Sequence, residues 1–196
     1  MTRDPDGLVF DLDGTLADTA VIGRAALDAT VAAFGITPTG DAMALNGMAF
    51  ADRIRVMREN GDLAGAVTDT DLFAECDRQL ITRAGEVRPI APVVEILRRA
   101  HGRVPLALAT GSTGPVAEAV VAAIGLAEVF DAVVTRDDVP RGKPAPDTYL
   151  RAAALLGLDP ARCVAYEDTA IGLEAARAAG MSVVDVRPLL RSDFPS

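Results

Sequence analysis

The sequence predicts an α/β fold: a Rossmann-like core built on a parallel sheet, with a small helical domain inserted after the first strand. Two observations predict it. Beyond residue 88, short apolar runs alternate with segments that begin at a proline and end at a glycine. Residues 18–88, by contrast, show only helical patterns. Strands that alternate with helices are joined by right-handed crossovers, which place them in a parallel sheet covered on both faces.

The strands and helices of the core follow from apolar runs and from their flanking residues. Five apolar runs are short enough to be strands: 8–10, 104–109, 132–134, 163–166 and 183–186. Proline at the first helical position and glycine just past the end are typical of helices. This pattern delimits helices at Pro92–Gly102, Pro115–Gly125 and Pro146–Gly157, and a last helix is predicted from about Thr169 to Gly180.

The inserted stretch contains several helical patterns and no convincing strand. Ile22, Ala26, Ala29 and Ala33 recur at helical spacing, and Gly35 can end that helix. Further helical patterns run over about 49–60 and 68–84. We therefore predict a four-helix insertion over 18–88 and an α/β core made of 1–17 and 89–196.

Composition and charge exclude two classes of partner. The aromatic fraction is 4% and the formal net charge is −9, whereas nucleic-acid binding relies on basic surfaces and stacking aromatic side chains. No apolar run approaches the roughly 20 residues that span a bilayer, and the polar N-terminus is unlike a signal peptide. Cys76 and Cys163 are expected to be buried thiols. We expect a cytoplasmic protein that binds neither nucleic acid nor membranes, of undetermined oligomeric state.

Polar residues follow four of the predicted strands. Ligands of open parallel sheets bind beyond the carboxyl ends of the strands. The residues at those ends are Asp11 and Asp13, then Thr110, Gly111 and Ser112, then Lys143, then Glu167 and Asp168. Taken singly, each has a structural explanation as a turn, a helix cap or a solvated loop lysine. Their joint occurrence, in order and each after a strand, favours a functional site.

The chemistry that fits this set is phosphoryl transfer. A phosphate monoester carries about two negative charges at neutral pH, so a carboxylate cannot attack it until that charge is neutralised. Magnesium held by oxygen ligands supplies the neutralisation. Lys143 and the Thr110 hydroxyl, with N–H groups near Gly111 and Ser112, can hold the phosphoryl oxygens. A second carboxyl can protonate the leaving oxygen and later accept a proton from water.

Four motifs resemble those of the haloacid-dehalogenase superfamily of phosphatases and phosphomutases. They are DLDGT at 11–15, ATGS at 109–112, GKPAPD at 142–147 and EDTAIG at 167–172, in that order and over nearly the whole chain. The helical insertion is similar to the α-helical cap of the beta-phosphoglucomutase-like branch. ALNG at 44–47, HGR at 101–103, KPAPDT at 143–148 and VDVR at 184–187 resemble bacterial sugar-phosphate phosphatases of the fructose-1-phosphate type.

The resemblance implies a role for each matching residue of the core. Asp11 would be the nucleophile that forms an aspartyl-phosphate, and Asp13 the general acid and base. Thr110 and Lys143 would bind the phosphoryl group, with Lys143 also restraining Asp11. The magnesium ligands would be Asp11, the backbone carbonyl of Asp13 and Asp168. Glu167 would either bind the ion directly or support the residues that do.

The cap departs from the pattern of related mutases. These proteins and several sugar phosphatases carry a histidine at about the position of Gly23, and His101, the only histidine here, looks structural. Asn46 and Arg53 are candidate contacts to the substrate. We therefore expect a magnesium-dependent phosphatase of small phosphorylated metabolites, most simply sugar phosphates. A phosphomutase is the alternative, and a non-catalytic phosphate-binding module is a further one.

Overall fold

The computed structural model describes residues 4–37, 50–63 and 67–190, and for residues 50–53 it describes the backbone alone. The chain divides into two compact units, Met1–Ala20 with Ala84–Ser196, and Val21–Arg83. Each unit is described by itself.

A five-stranded parallel sheet forms the centre of the first unit. Its strands are β1 (Gly7–Phe10), β4 (Leu106–Ala109), β5 (Ala132–Val134), β6 (Cys163–Glu167) and β7 (Ser182–Asp185), in the spatial order β5-β4-β1-β6-β7. β2 (Ala17–Asp18) and β3 (Arg88–Pro89) form a separate antiparallel pair. The predicted α/β class and parallel sheet are confirmed. The predicted strand over 104–109 begins two residues later, at Leu106, and the β2–β3 pair was not predicted.

Helices connect the strands of the first unit. They are α4 (Ala91–Ala100), α5 (Gly114–Ala123), α6 (Asp147–Leu156), α7 (Ala170–Ala178) and the short α8 (Arg187–Leu190), with 3-10 turns at Ala84–Glu86, Arg136–Asp138 and Pro160–Arg162. Pro146 is the residue just before α6, at its N-cap position, rather than the first residue of the helix. Thr169 caps α7 by accepting the backbone N–H of Gly172.

Small side chains dominate the core on one face of this sheet. Alanines of the strands and of α6 and α7 are buried there: Ala107, Ala109, Ala152, Ala153, Ala165, Ala175 and Ala176. α6 packs against β1, β4 and β5, and α7 packs against β6 and β7. Tyr149 of α6 is fully buried among these alanines. A tyrosine enclosed in this way needs a partner for its hydroxyl group.

The described part of the second unit consists of helices joined by turns and loops, with no strand. Its helices are α1 (Ala20–Ala33, which begins one residue before the unit), α2 (Phe50–Glu59) and α3 (Asp69–Arg83). Buried apolar residues form its core: Ile36, Ile54, Met57, Leu63 and Leu72. The described residues thus contain three of the four predicted helices, while 38–49 and 64–66 lie outside them.

Two further expectations concern buried thiols and membranes. Cys76 and Cys163 are both buried, as predicted. Within the described ranges, no helix has the length and apolar character needed to cross a bilayer.

Candidate active site

The carboxyl ends of neighbouring strands bring the motif residues to one edge of the sheet. β1 lies between β4 and β6, with Phe10 in register with Leu108 on one side and Tyr166 on the other. The backbone N–H of Asp11 donates to the carbonyl of Tyr166 at 3.0 Å. Residues that directly follow β1, β4 and β6 therefore lie side by side.

The turn after β1 depends on Gly14. Its φ is +83°, a conformation that favours glycine. A Cβ atom at this position would lie 2.2 Å from Oδ2 of Asp168, so a larger residue would also collide with that carboxyl. Leu12 is fully buried, whereas Asp13 is partly exposed. The turn thus places Asp11, Asp13 and Asp168 close together.

Lys143 joins two carboxylates that come from different strands. Its Nζ donates to Oδ1 of Asp11 at 2.5 Å and to Oε1 of Glu167 at 2.6 Å. All three side chains are at most 9% exposed. Burial opposes the charge of Lys143, but attraction to Asp11 and Glu167 outweighs it and raises the pKa of the amine above its ordinary value. The ammonium group is therefore held charged inside the site.

A second ion pair fixes the loop that carries Lys143. The guanidinium of Arg141 donates to both oxygens of Asp147, at 3.0 and 2.7 Å. Because this fork-to-fork pair spans residues 141–147, it restrains the loop on both sides of Lys143.

Tyr149 is a site residue that the sequence did not reveal. Its hydroxyl donates to Oε1 of Glu167 at 2.9 Å, and its ring centroid lies 5.1 Å from Nζ of Lys143. Burial, followed by the charges of Asp11 and Glu167, raises the pKa of the phenol far above its ordinary value, so it stays a donor. One signal was present: Tyr149 lies on the apolar stripe of a predicted helix, where its hydroxyl needs a buried acceptor.

Glu167 is surrounded by hydrogen-bond donors. Its Oε2 accepts the backbone N–H groups of Asp168 and Thr169 at 3.0 and 3.1 Å and the Thr169 hydroxyl at 3.0 Å. Burial alone would raise the pKa of Glu167, but Lys143, the backbone N–H of Thr169 and the hydroxyl of Tyr149 outweigh it and lower the pKa. A Cβ atom on Gly172 would lie 1.8 Å from Oε1, so this glycine leaves the space that the carboxylate fills.

Asp168 has a partner in the first motif. The hydroxyl of Thr15, which is fully buried, donates to Oδ1 of Asp168 at 3.2 Å. Burial and repulsion by Glu167 raise the pKa of Asp168. Thr15 belongs to the DLDGT motif, but its role could not be predicted from the sequence, because its partner lies 153 positions away.

The hydroxyl groups after β4 contact Asp13. Ser112 Oγ donates to Oδ2 of Asp13 at 2.8 Å, and Thr110 Oγ1 donates to the same oxygen at 3.2 Å. The backbone N–H of Ser112 in turn donates to Thr110 Oγ1 at 3.0 Å. Gly111 lies between them and is exposed. Thr110 and Ser112, two of the residues predicted to hold a phosphoryl group, thus contact the predicted acid and base.

Three carboxylates of the site could hold a cation. Asp11, Glu167 and Asp168 each offer an oxygen, and these oxygens lie within 4.8 Å of one another. Burial raises the pKa of Asp11 to about 8, with Lys143 opposing and Glu167 and Asp13 adding to the rise. Lys143 is the only cationic side chain that contacts this group, through Asp11 and Glu167, among the residues that the structure describes. Oxygen-only donors and this excess of negative charge fit a hard divalent cation such as Mg²⁺.

Two predicted substrate contacts cannot be placed with the others. Asn46 lies outside the described residues, and so does the side chain of Arg53, whose backbone belongs to α2. Both remain predictions.

Comparison with known proteins supports the resemblance inferred from the motifs. Residues 5–180 match the family of haloacid dehalogenase-like hydrolases. Over 188 residues the chain is 41% identical to the fructose-1-phosphate phosphatase YqaB of Escherichia coli strain K12, covering 93% of this chain and 97% of that protein.

Two crystal structures of CbbY from Rhodobacter sphaeroides share the fold. One is a complex with phosphate, at a TM-score of 0.81 and 29% identity over 91% of this chain and 84% of the other. The second, of a mutant in complex with xylulose-1,5-bisphosphate, has a TM-score of 0.81 and 28% identity with the same coverage. The resemblance predicted from the four motifs is confirmed, and the chain belongs to the haloacid dehalogenase-like hydrolases.

Proposed function

We propose that the chain is a magnesium-dependent phosphatase that hydrolyses phosphorylated sugars through an aspartyl-phosphate on Asp11. The observation that carries the proposal is the contact of Lys143 with both Asp11 and Glu167, at 2.5 and 2.6 Å. A buried carboxylate beside a fixed ammonium group, with a second carboxyl two residues further on, suits nucleophilic attack followed by proton transfer.

In the first step, a carboxylate oxygen of Asp11 attacks the phosphorus atom of the monoester. The bond between phosphorus and the leaving oxygen breaks, and its electron pair stays on that oxygen. Asp13 gives its proton to the leaving oxygen, so that an alcohol departs. Lys143 offsets the negative charge that gathers on the phosphoryl oxygens. The products of this step are the free sugar and the aspartyl-phosphate.

In the second step, water attacks the phosphorus atom of the aspartyl-phosphate. The water gives a proton to the carboxylate of Asp13, while the bond from phosphorus to the Asp11 oxygen breaks. Inorganic phosphate leaves, and the Asp11 carboxylate and the protonated Asp13 are restored. One acid–base residue therefore serves both steps.

The proposed ligands of magnesium are Asp11, the backbone carbonyl of Asp13, Glu167 and Asp168. When bound, the cation supplies positive charge that favours the ionised form of Asp11 and offsets the charge of the phosphoryl group. Thr15 and Tyr149 hold Asp168 and Glu167 in place through hydrogen bonds of 3.2 and 2.9 Å. These contacts keep the carboxylates together despite their mutual repulsion.

A phosphorylated sugar is the substrate class that the relatives favour. The protein with 41% identity is named a fructose-1-phosphate phosphatase, and a CbbY structure contains xylulose-1,5-bisphosphate. The substrate contacts proposed for the predicted helical insertion, 18–88, are Asn46 and Arg53.

Release of inorganic phosphate tests the proposal. The substrates are p-nitrophenyl phosphate and a panel of sugar phosphates that includes fructose 1-phosphate and beta-glucose 1-phosphate. We expect turnover with Mg²⁺ and its loss on chelation. Asp11→Asn should lower kcat by at least about 10³-fold, because the amide is a poor nucleophile. Asp4→Asn, at an exposed position, is the matched control.

Each alternative gives a different outcome. A phosphomutase would convert beta-glucose 1-phosphate to the 6-phosphate without matching release of phosphate. A non-catalytic module would turn over nothing. Full activity of Asp11→Asn, or turnover unaffected by excess chelator, would contradict the proposed chemistry.

A further inference from the structure

We propose that Ser112 is a positioning residue that holds the carboxyl group of Asp13 for proton transfer to the leaving oxygen. The inference rests on the proposed function, since it concerns the first step of that reaction. Its basis is the hydrogen bond of 2.8 Å from Ser112 Oγ to Oδ2 of Asp13. The sequence predicts a phosphoryl contact only for N–H groups near Gly111 and Ser112, and it predicts no role for the Ser112 hydroxyl.

The number of available protons supports this assignment. A serine hydroxyl has a single proton to donate, and that of Ser112 is directed at Asp13. Thr110 also donates to Oδ2 of Asp13, over a longer distance of 3.2 Å. The backbone N–H of Ser112 donates to Thr110 Oγ1 at 3.0 Å, so it directs the proton of that hydroxyl away from itself and towards Asp13. Ser112 thus acts on Asp13 both directly and through Thr110.

The backbone of Ser112 is well fixed for such a role. Its carbonyl accepts the N–H of Arg136 at 3.0 Å, and the N–H of Thr110 donates to the carbonyl of Val134 at 3.0 Å. The N–H of Gly114 donates to Asp137 at 2.9 Å. The loop after β4 is therefore tied on both sides of Ser112 to β5 and the turn that follows it.

The pattern of bonds at Asp13 leaves one oxygen for chemistry. Both hydroxyl groups donate to Oδ2, and Oδ1 has no hydrogen bond to any residue that the structure describes. A carboxyl held by one oxygen presents the other in a defined direction. We infer that Oδ1 is the atom that carries the proton to the leaving oxygen.

The leaving group decides how much this positioning matters. A sugar alkoxide is strongly basic and needs a proton as the bond to phosphorus breaks, whereas p-nitrophenolate leaves without one. Misplacing Asp13 should therefore slow sugar phosphates more than p-nitrophenyl phosphate. The parameter to compare is kcat/KM, which depends only on the steps up to release of the alcohol. Hydrolysis of the aspartyl-phosphate comes later, so the role of Asp13 as a base in that step does not affect kcat/KM.

The experiment measures kcat/KM for p-nitrophenyl phosphate and for the best sugar phosphate of the panel above. For Ser112→Ala we expect the loss on the sugar phosphate to exceed the loss on the aryl phosphate by about tenfold, the effect of losing one hydrogen bond. Ser112→Thr keeps a hydroxyl, so its ratio of kcat/KM for the two substrates should be close to that of the wild-type protein. In an Asp13→Asn background, Ser112→Ala should leave the ratio unchanged.

Other outcomes would overturn the inference. Equal losses on both substrates, together with a raised inhibition constant for inorganic phosphate, would make Ser112 a phosphate-binding residue. If Ser112→Ala changed the ratio of the two kcat/KM values even in the Asp13→Asn background, Ser112 would act independently of Asp13. If the wild-type protein turned over neither substrate, the proposed function itself would fail, which is a distinct result. Ser112→Thr keeps the test valid should Ser112→Ala fold poorly.

Discussion

Tyr149 shows how one side chain can serve two charged partners at once. Its ring lies 5.1 Å from the ammonium nitrogen of Lys143, and its hydroxyl donates to Glu167 at 2.9 Å. A ring face attracts a cation, and a buried carboxylate requires donors. Tyr149 therefore supports the Lys143–Glu167 pair from within the alanine-rich core.

Removing the hydroxyl of Tyr149 should be costly, because a buried carboxylate loses a donor. We expect Tyr149→Phe to lower the free energy of unfolding by about 1–3 kcal/mol. Tyr166→Phe is the matched control, since the ring of Tyr166 is stacked on Phe10 at 4.6 Å and phenylalanine keeps that contact. Thermal or urea unfolding of both variants checks this. Equal stabilities of the two variants would contradict the role given to the Tyr149 hydroxyl.

Some residues of the site could be predicted from the sequence and others could not. Asp11 directly follows one predicted strand, and Lys143 lies in the loop after another, so the rule for parallel sheets predicts that both lie at the same edge of the sheet. Thr15 and Tyr149 act through partners 153 and 18 positions away. Neither partner can be identified from spacing, because it is the packing of α6 and of the turn after β1 that brings them together.

At the scale of elements, the first turn of α7 leaves space for the carboxylate of Glu167. Gly172 lies in its first turn, and a Cβ atom there would fall 1.8 Å from Oε1 of Glu167. Gly23 also lies within a helix, α1, but a Cβ atom there would meet nothing within 4 Å. The two helical glycines therefore differ in their surroundings although they share a conformation.

These glycines should respond to alanine in opposite directions. Gly23→Ala should raise the free energy of unfolding by up to about 1 kcal/mol, since alanine is the better helix former. Gly172→Ala should lower both stability and kcat, because Glu167 and with it Lys143 must shift. Chemical unfolding and steady-state kinetics of the pair check this. If Gly172→Ala were as stable and active as Gly23→Ala, Glu167 would have no fixed place in the site.

The long elements were predictable, whereas the shortest were not. A proline lies in the first turn of α4 and of α5, and a glycine follows the end of each helix. This local signal does not depend on distant residues. β2 and β3 have two residues each and pair Ala17 with Pro89, across more than 70 positions. Two residues show no periodicity, so such a pair becomes visible only in three dimensions.

At the scale of the whole molecule, the negative charge has a local consequence. The chain carries a formal net charge of −9, and the carboxylates of Asp11, Glu167 and Asp168 offer oxygens within 4.8 Å of one another. Binding of a divalent cation should therefore stabilise the folded state, because the unfolded chain does not hold these carboxylates together.

Magnesium should raise the midpoint of thermal unfolding. At a concentration of 100 times its dissociation constant, a ligand adds about 2.7 kcal/mol to stability. Asp168→Asn should lose most of this shift, and Asp4→Asn should keep it. Differential scanning calorimetry with and without Mg²⁺ checks both. An unchanged shift in Asp168→Asn would place the cation elsewhere.

Formation of a phosphoryl group on Asp11 is the most direct test of the proposed chemistry. In Asp13→Asn the base for the second step is missing, so the aspartyl-phosphate should accumulate with p-nitrophenyl phosphate, whose leaving group needs no acid. Acid quenching, digestion and mass spectrometry should then find one phosphoryl group on the peptide that contains Asp11. A phosphoryl group on another residue, or turnover of the substrate with no phosphoryl-enzyme at any time point, would contradict the mechanism.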